Sequence, residues 1–326
     1  MSDPDSLYYR YFYFNPTISV SSGQMFLWQQ IGNSWYGTYG DNIVKFTVLD
    51  NGRTSNSNSN SGSNSDRDSN DSKDNKFEFS SYPEIQGWER KVFRLDDNIG
   101  KVLSILSNDA LVYEAIKKYH GLRLMRQEPH QCLFSFACAS NTNITMIRRM
   151  LINLSKKFGT KLTFDGREFY TFPSTKSLNR ATLSDLQACG VGFRAKAIKA
   201  VAKHLISGNL DTDHLIHREY EEAKSELLKV YGIGNKIADC ILLFSLEKLD
   251  AFPIDVWISK AISRYYYWLL DESEDTKLDK LSKNESLSTN QYTAVSRYLR
   301  RYFGKYSGYA QQFIYYHMRE IAGRRW

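Results

Sequence analysis

The 326-residue chain has few cysteines, no long apolar run, and one stretch with almost nothing hydrophobic in it. Each shortage excludes something. The four cysteines, Cys132, Cys138, Cys189 and Cys240, have neither zinc-ligand nor iron–sulfur spacing, so they read as reduced thiols of an intracellular protein, not as a disulfide framework or a metal site. No apolar run approaches the ~18 residues of a membrane helix, and the first residues are polar and tyrosine-rich, so neither a spanning segment nor a secretory signal is expected. From Asn51 to about Lys76 the chain reads NGRTSNSNSNSGSNSDRDSNDSKDNK. With no apolar side chain able to offset ordering entropy, residues 51–76 are expected to form a disordered surface insertion.

What is present suits a folded protein with a sizeable core: 42% of residues are hydrophobic and 14% aromatic, and over this length two or more domains are expected. Lysine and arginine outnumber the acids 43 to 36, giving +7 and an isoelectric point near 9.0. That balance suits a polyanionic partner but is too mild to establish one.

Up to about residue 50 the sequence is rich in Tyr, Phe, Thr and Val with glycine and asparagine punctuation, as in NSWYGTYGDNIVKFTVLDNG. This reads as antiparallel strands and turns, with no competing helix period. Phe77-Glu78-Phe79 resumes as a strand, and a change of domain falls between Tyr82 and Arg90, giving an N-terminal β domain over 1–90 and a helical body over 91–326. From Asp96 onward the reading is essentially all α, with Glu128-Pro129 as one helix start and later helices over Thr182–Ala188, Arg194–Leu205, Gln291–Tyr302 and Gly308–Ile321. Residues 271–290 read as a charged, solvated loop, and no internal repeat is visible.

The chemistry concentrates between Tyr220 and Trp268. Tyr220, Ala223, Leu227 and Tyr231 recur at helical spacing, as do Ile237, Ile241 and Phe244, so two helices flank Gly232-Ile233-Gly234. Glycines there permit positive φ and close backbone approach, and the second helix presents its unpaired N–H groups and positive dipole end. Phosphate is the natural occupant. Lys236 follows at once, and Asp255 lies further on in Phe252-Pro253-Ile254-Asp255-Val256-Trp257. Pro253 stops the preceding helix, and Asp255 reads as the N-cap of the next. Taken alone, the lysine would be solvated and the aspartate merely a cap.

Together, L-x-x-x-x-G-I-G-x-K-x-A-D-C ending in P-x-D-V resembles the helix-hairpin-helix DNA glycosylases of the Gly/Pro-Asp superfamily, and more closely the 8-oxoguanine DNA glycosylase/AP lyases. The likeness extends to Ser22-Gly23-Gln24-Met25-Phe26-Leu27-Trp28 and to Leu124-Met125-Arg126-Gln127-Glu128-Pro129 through Cys132-Leu133-Phe134-Ser135-Phe136. It implies an α+β fold: a twisted antiparallel sheet packed beside a mostly helical body that carries the hairpin. It further implies a monomer acting on double-stranded DNA that contains 8-oxoguanine, wherever chromosomal DNA is kept. No required cofactor and no iron–sulfur cluster are implied, since no cysteine follows Cys240, and a monovalent or structural cation at the hairpin is compatible with the pattern.

The residue types fit that chemistry. An N-glycosidic bond breaks through an oxocarbenium-like transition state, which a carboxylate such as Asp255 stabilises. An amine such as Lys236 can attack the anomeric carbon, and the resulting Schiff base permits strand cleavage by elimination. Free lysine is almost wholly protonated at neutral pH, so a route for its proton is needed, and the sequence does not supply one. By the resemblance, the Gly23 carbonyl would accept from the N7–H that distinguishes the oxidised purine, Gln311 would bond the base edge, and Cys240 and Tyr315 would sandwich the ring. Asn141 with Phe193 and Arg194 would fill the gap left by the extruded base. Four positions depart from the family pattern: Thr142, Met146, Phe193 and Trp257, of which Met146 stands where an arginine would help read the orphaned cytosine. Two other readings remain at this stage: a monofunctional glycosylase, which would have no use for Lys236, and a non-catalytic DNA-binding module, in which Asp255 would oppose binding.

Overall fold

The computed structural model describes residues 14–49, 76–269 and 287–323. Most of the 51–76 insertion and of the 271–290 loop therefore lies outside the described residues. At their edges the boundaries shift: Lys76 already belongs to a strand, and Thr289 and Asn290 to a helix.

The chain enters through a short helix, α1 (Pro16–Ser21), where composition predicts strand and turn. The reason is local: Asn15 caps it by accepting from the Ile18 N–H at 3.1 Å, and Pro16 occupies the first turn, where its missing N–H costs nothing. Four antiparallel strands follow in sequential order, β1 (Gln29–Ile31), β2 (Ser34–Tyr39), β3 (Asn42–Leu49) and β4 (Lys76–Tyr82). The Tyr39↔Asn42 register leaves a two-residue turn at Gly40-Asp41, with Gly40 at φ 57°, the geometry that follows strand twist. One face of the sheet buries an aromatic cluster of Phe14, Trp28, Trp35, Phe46, Trp88 and Phe93. Its helical and loop contributions reach past residue 90, to Val92, Phe93 and Met125.

The body comprises α2 (Trp88–Val92), α3 (Ile99–Leu106), α4 (Ala110–Lys118), α5 (Pro129–Ala137), α6 (Ile144–Phe158), α7 (Thr175–Arg180), α8 (Leu183–Leu186), α9 (Ala195–Ile206), α10 (Thr212–Ile216), α11 (Tyr220–Leu228), α12 (Asn235–Ser245), α13 (Val256–Ala261), α14 (Thr289–Phe303) and α15 (Ser307–Ile321). One hairpin interrupts it, β5 (Lys161–Phe164) with β6 (Arg167–Tyr170), against the expectation of an essentially all-helical region. Asp165 and Gly166 form its turn at φ 51° and 68°, and Asp165 then ties the hairpin to the sheet by accepting from Tyr36 Oη at 2.9 Å and Lys45 Nζ at 2.6 Å.

Helix α12 runs through the centre: from Ile237 to Ser245 every residue is buried. A core that is apolar except around Asp239 lets tertiary packing, not propensity, hold it. Its far end is anchored by Glu247, which accepts from fully buried Arg94 at 2.6 Å and from Arg126 at 2.8 Å. The two halves are sewn together at Gln24, whose side chain accepts from Met125 N at 2.7 Å and donates to Arg123 O at 2.8 Å.

Candidate active site

Between α11 and α12, Gly232 adopts φ 89°, and a Cβ there would stand 2.4 Å from Ala197 Cβ. Both facts require glycine. Gly234 differs: its φ is −98° and no atom lies within 4 Å of a Cβ placed on it, so this chain imposes no demand for glycine there. Ile233 has a buried side chain that packs in the core. No side chain caps α12, leaving its first N–H groups open above the hairpin.

Lys236 sits in the first turn of α12, and Asp255 caps α13, accepting from Trp257 N at 3.0 Å and Ile258 N at 2.9 Å through one carboxylate oxygen. Both line one open cleft of about 1780 Å³, larger than the ~300–1,000 Å³ of a small-molecule pocket. Burial pushes the Asp255 carboxyl above the usual carboxylate range, opposed by the charge of Lys236, the two capping N–H groups and Arg319.

What holds the pair in register is a buried polar network that local sequence patterns do not reveal. Asp239, fully buried one turn along α12 from Asn235, accepts from Tyr220 Oη at 2.6 Å, Tyr292 Oη at 2.7 Å and Lys224 Nζ at 2.9 Å. The Tyr292 hydroxyl also accepts from the Ile254 N–H at 3.1 Å. One oxygen on α14 thus joins the helix that carries Lys236 to the residue before Asp255.

Gly23, Cys240, Gln311 and Tyr315 line the same cleft. Gly23 has φ 85°, and a Cβ there would meet Arg319 Nη1 at 2.8 Å and Tyr315 Oη at 3.0 Å, so its backbone lies directly against α15. Gln312 Nε2 donates to Ser22 O at 3.1 Å and fixes that approach. Among the described residues no donor reaches the Gly23 carbonyl. Gln311 donates to Pro253 O at 3.2 Å while its buried Oε1 has no partner, so each of these two cleft-lining residues keeps an unpaired acceptor. Burial pushes the Cys240 thiol up to about 12, making it an inert, neutral wall.

Asn141 lines the cleft at φ 47°, whereas Phe193 and Arg194 do not line it. They sit on the turn between α8 and α9, with Phe193 62% exposed and the Arg194 guanidinium 4.4 Å over its ring. Arg194 donates to Ser140 O at 2.9 Å and Asn141 O at 3.1 Å, so here it braces the Asn141 loop. Met146 is 40% exposed on the first turn of α6. All four cysteines are free and buried, and among the described residues no His/Cys/Asp/Glu group could hold a metal ion.

The hairpin-borne Lys236 and the capping Asp255 thus line one cleft, the arrangement that the resemblance to helix-hairpin-helix glycosylases implies. The model of the HhH-GPD superfamily base excision DNA repair proteins matches residues 134–284, and that of the 8-oxoguanine DNA glycosylase N-terminal domain matches residues 9–133. The two models together run over residues 9–284, so most of the chain is similar to the 8-oxoguanine glycosylases of the HhH-GPD superfamily. It is 32% identical over 219 residues to an N-glycosylase/DNA lyase of Saccharomyces cerevisiae, covering 62% of this chain and 58% of that protein. An Arabidopsis thaliana N-glycosylase/DNA lyase is 32% identical over 207 residues, covering 62% and 53%. The matched stretches therefore span less than two thirds of either relative. A Clostridium acetobutylicum 8-oxoguanine glycosylase/lyase solved with DNA superposes at TM-score 0.74 and 28% identity, over 95% of this chain and 93% of that one.

Proposed function

We propose that this protein removes 8-oxoguanine from duplex DNA and then cleaves the strand. The observation that carries the reading is that Lys236 and Asp255 line one cleft together with the free acceptors of Gly23 and Gln311. In the first step the Lys236 amine forms a bond to C1′ as the C1′–N9 bond breaks; the electron pair leaves with the base, which gains a proton. Asp255, held in place by two backbone N–H groups, stabilises the positive charge on the sugar. The bound nitrogen then loses a proton and the sugar ring opens: the C1′–O4′ bond breaks, O4′ takes that electron pair and a proton as a hydroxyl, and C1′ becomes an iminium. In the second step the iminium acidifies C2′, and loss of that proton expels the 3′ phosphate.

The Gly23 carbonyl accepts from N7–H of the oxidised base; guanine offers a lone pair there instead, leaving the carbonyl unpaired. That difference is worth roughly 1–3 kcal/mol before acceptor repulsion is added. Cys240 and Tyr315 flank the ring. The open N–H groups of α12 and the backbone at Gly234 bind phosphate of the strand. Phe193 and Asn141 occupy the space left in the duplex. Every group used lies on one chain, so a monomer suffices, and neither metal nor cofactor is needed for the steps above.

Single-turnover assays on duplexes with 8-oxoguanine or guanine at one position test this. Release of the oxidised base with a nick, at least a hundredfold faster than release of guanine, is expected; a nick without base preference, or base release with no nick, would refute it.

A further inference from the structure

Gln311, Tyr315 and Arg319 lie at i, i+4 and i+8 on α15 and so form one stripe toward the cleft. Arg319 has no place in the reaction as derived so far. It is 6% exposed, and among the described residues its hydrogen bonding consists of one long contact, Nη1 to Tyr315 Oη at 3.5 Å. No carboxylate among the described residues lies within ion-pair distance of it, unlike Arg94, which meets one, and Arg126 and Arg300, which each meet two. A guanidinium carries five donors and is costly to bury without acceptors. A side chain in this state, at the wall of a cavity, is built for a ligand that supplies acceptors.

Its position says which part of the ligand. Nη1 lies 2.8 Å from where a Cβ on Gly23 would stand, so the guanidinium abuts the residue whose free carbonyl receives N7–H. In 8-oxoguanine that N–H is flanked by two carbonyl oxygens, O6 and O8, and O8 is the one guanine lacks. O8 is also bonded to the carbon next to N9, so the electron pair released when C1′–N9 breaks spreads onto it.

We infer that Arg319 donates to a carbonyl oxygen flanking N7 of the extruded base, and steadies the negative charge that the departing base acquires. This rests on the functional reading above. It makes Arg319 a specificity-determining residue that contacts the base, distinct from Asp255, which faces the sugar.

The test compares the full-length parent with Arg319→Met and Arg319→Lys in two single-turnover assays on one duplex sequence: release of 8-oxoguanine, and nicking of a preformed abasic site. Loss of a charged hydrogen bond predicts that Arg319→Met slows base release by roughly ten- to a hundredfold. Nicking of the abasic site, which has no base to contact, should change less than about threefold, and Arg319→Lys should recover part of the loss by restoring a charged donor. Unchanged base release, or equal slowing of both assays in Arg319→Lys as well as Arg319→Met, would overturn the inference. If the parent nicks abasic sites but releases no 8-oxoguanine, the functional reading itself is wrong and Arg319 loses its ligand with it.

Discussion

Replacing Tyr292 with phenylalanine removes one oxygen and keeps the ring. That oxygen is the bridge between the two catalytic elements: it donates to Asp239 at 2.7 Å and accepts from the Ile254 N–H at 3.1 Å. Phenylalanine leaves the Ile254 N–H unpaired at a site only 5% exposed, and takes one of three donors from a carboxylate that is 0% exposed. An unsatisfied buried donor costs about 1–3 kcal/mol, and a weakened buried charge a similar amount, so a total of about 2–4 kcal/mol is expected because neighbouring terms do not simply add. Tyr220→Phe is the control. Its hydroxyl donates to the same Asp239 at 2.6 Å and accepts from Lys224 at 2.9 Å, but no hydrogen bond joins it to the Asp255 segment. Both variants should unfold at lower urea concentration, whereas only Tyr292→Phe should slow base release beyond its effect on DNA affinity. A stability loss under about 0.5 kcal/mol, or equal kinetic effects of the two substitutions, would refute the bridging role.

Asp255→Asn should preserve folding, since asparagine caps a helix about as well as aspartate, yet slow base release by about a hundredfold or more in single-turnover assays. Burial raises the Asp255 carboxyl above its ordinary range, so it protonates at higher pH than a free aspartate. Activity should therefore fall, as pH is lowered, before reaching the ~3.9 of a free side chain, and a pH–rate profile of the parent reads this directly. Gly232→Ala, with φ 89° and Ala197 2.4 Å away, should cost about 1–3 kcal/mol in urea unfolding. Gly234→Ala should leave that stability unchanged and weaken DNA binding, measured by fluorescence anisotropy. Met146 can donate nothing to an orphaned cytosine, so 8-oxoguanine should be released opposite all four bases with a modest cytosine preference; Met146→Arg should sharpen it by about ten- to a hundredfold in single-turnover comparison.

The chain announced its chemistry where local rules govern. Asp255 as a cap after Pro253, the helix opening at Lys236 and the demand for glycine at 232 follow from φ/ψ and capping preferences that act within a few residues. The Asp165-Gly166 turn was equally local, and alternating side chains around it carried the signal for β5–β6. So was Asn15-Pro16 for α1. Other features were not legible because their cause is distant in sequence. Asp239 meets Tyr292 across 53 positions and Gln312 meets Ser22 across 290, and neither pairing has a periodicity. Ile233 sits in a DNA-binding motif by pattern, but the core claims its side chain. Arg194 turns toward Ser140 because that loop offers free carbonyls. Arg319 lay in plain view on the Gln311–Tyr315 stripe, and only its burial with no carboxylate in ion-pair distance among the described residues marks it.

The proposed chemistry requires a covalent bond between Lys236 and the sugar. Borohydride reduction during reaction with an 8-oxoguanine duplex should trap a stable protein–DNA adduct, mapped by mass spectrometry to Lys236, and Lys236→Gln should yield none while binding the duplex with nearly the parent affinity. An adduct retained in Lys236→Gln, or none in the parent while base release proceeds, would contradict it.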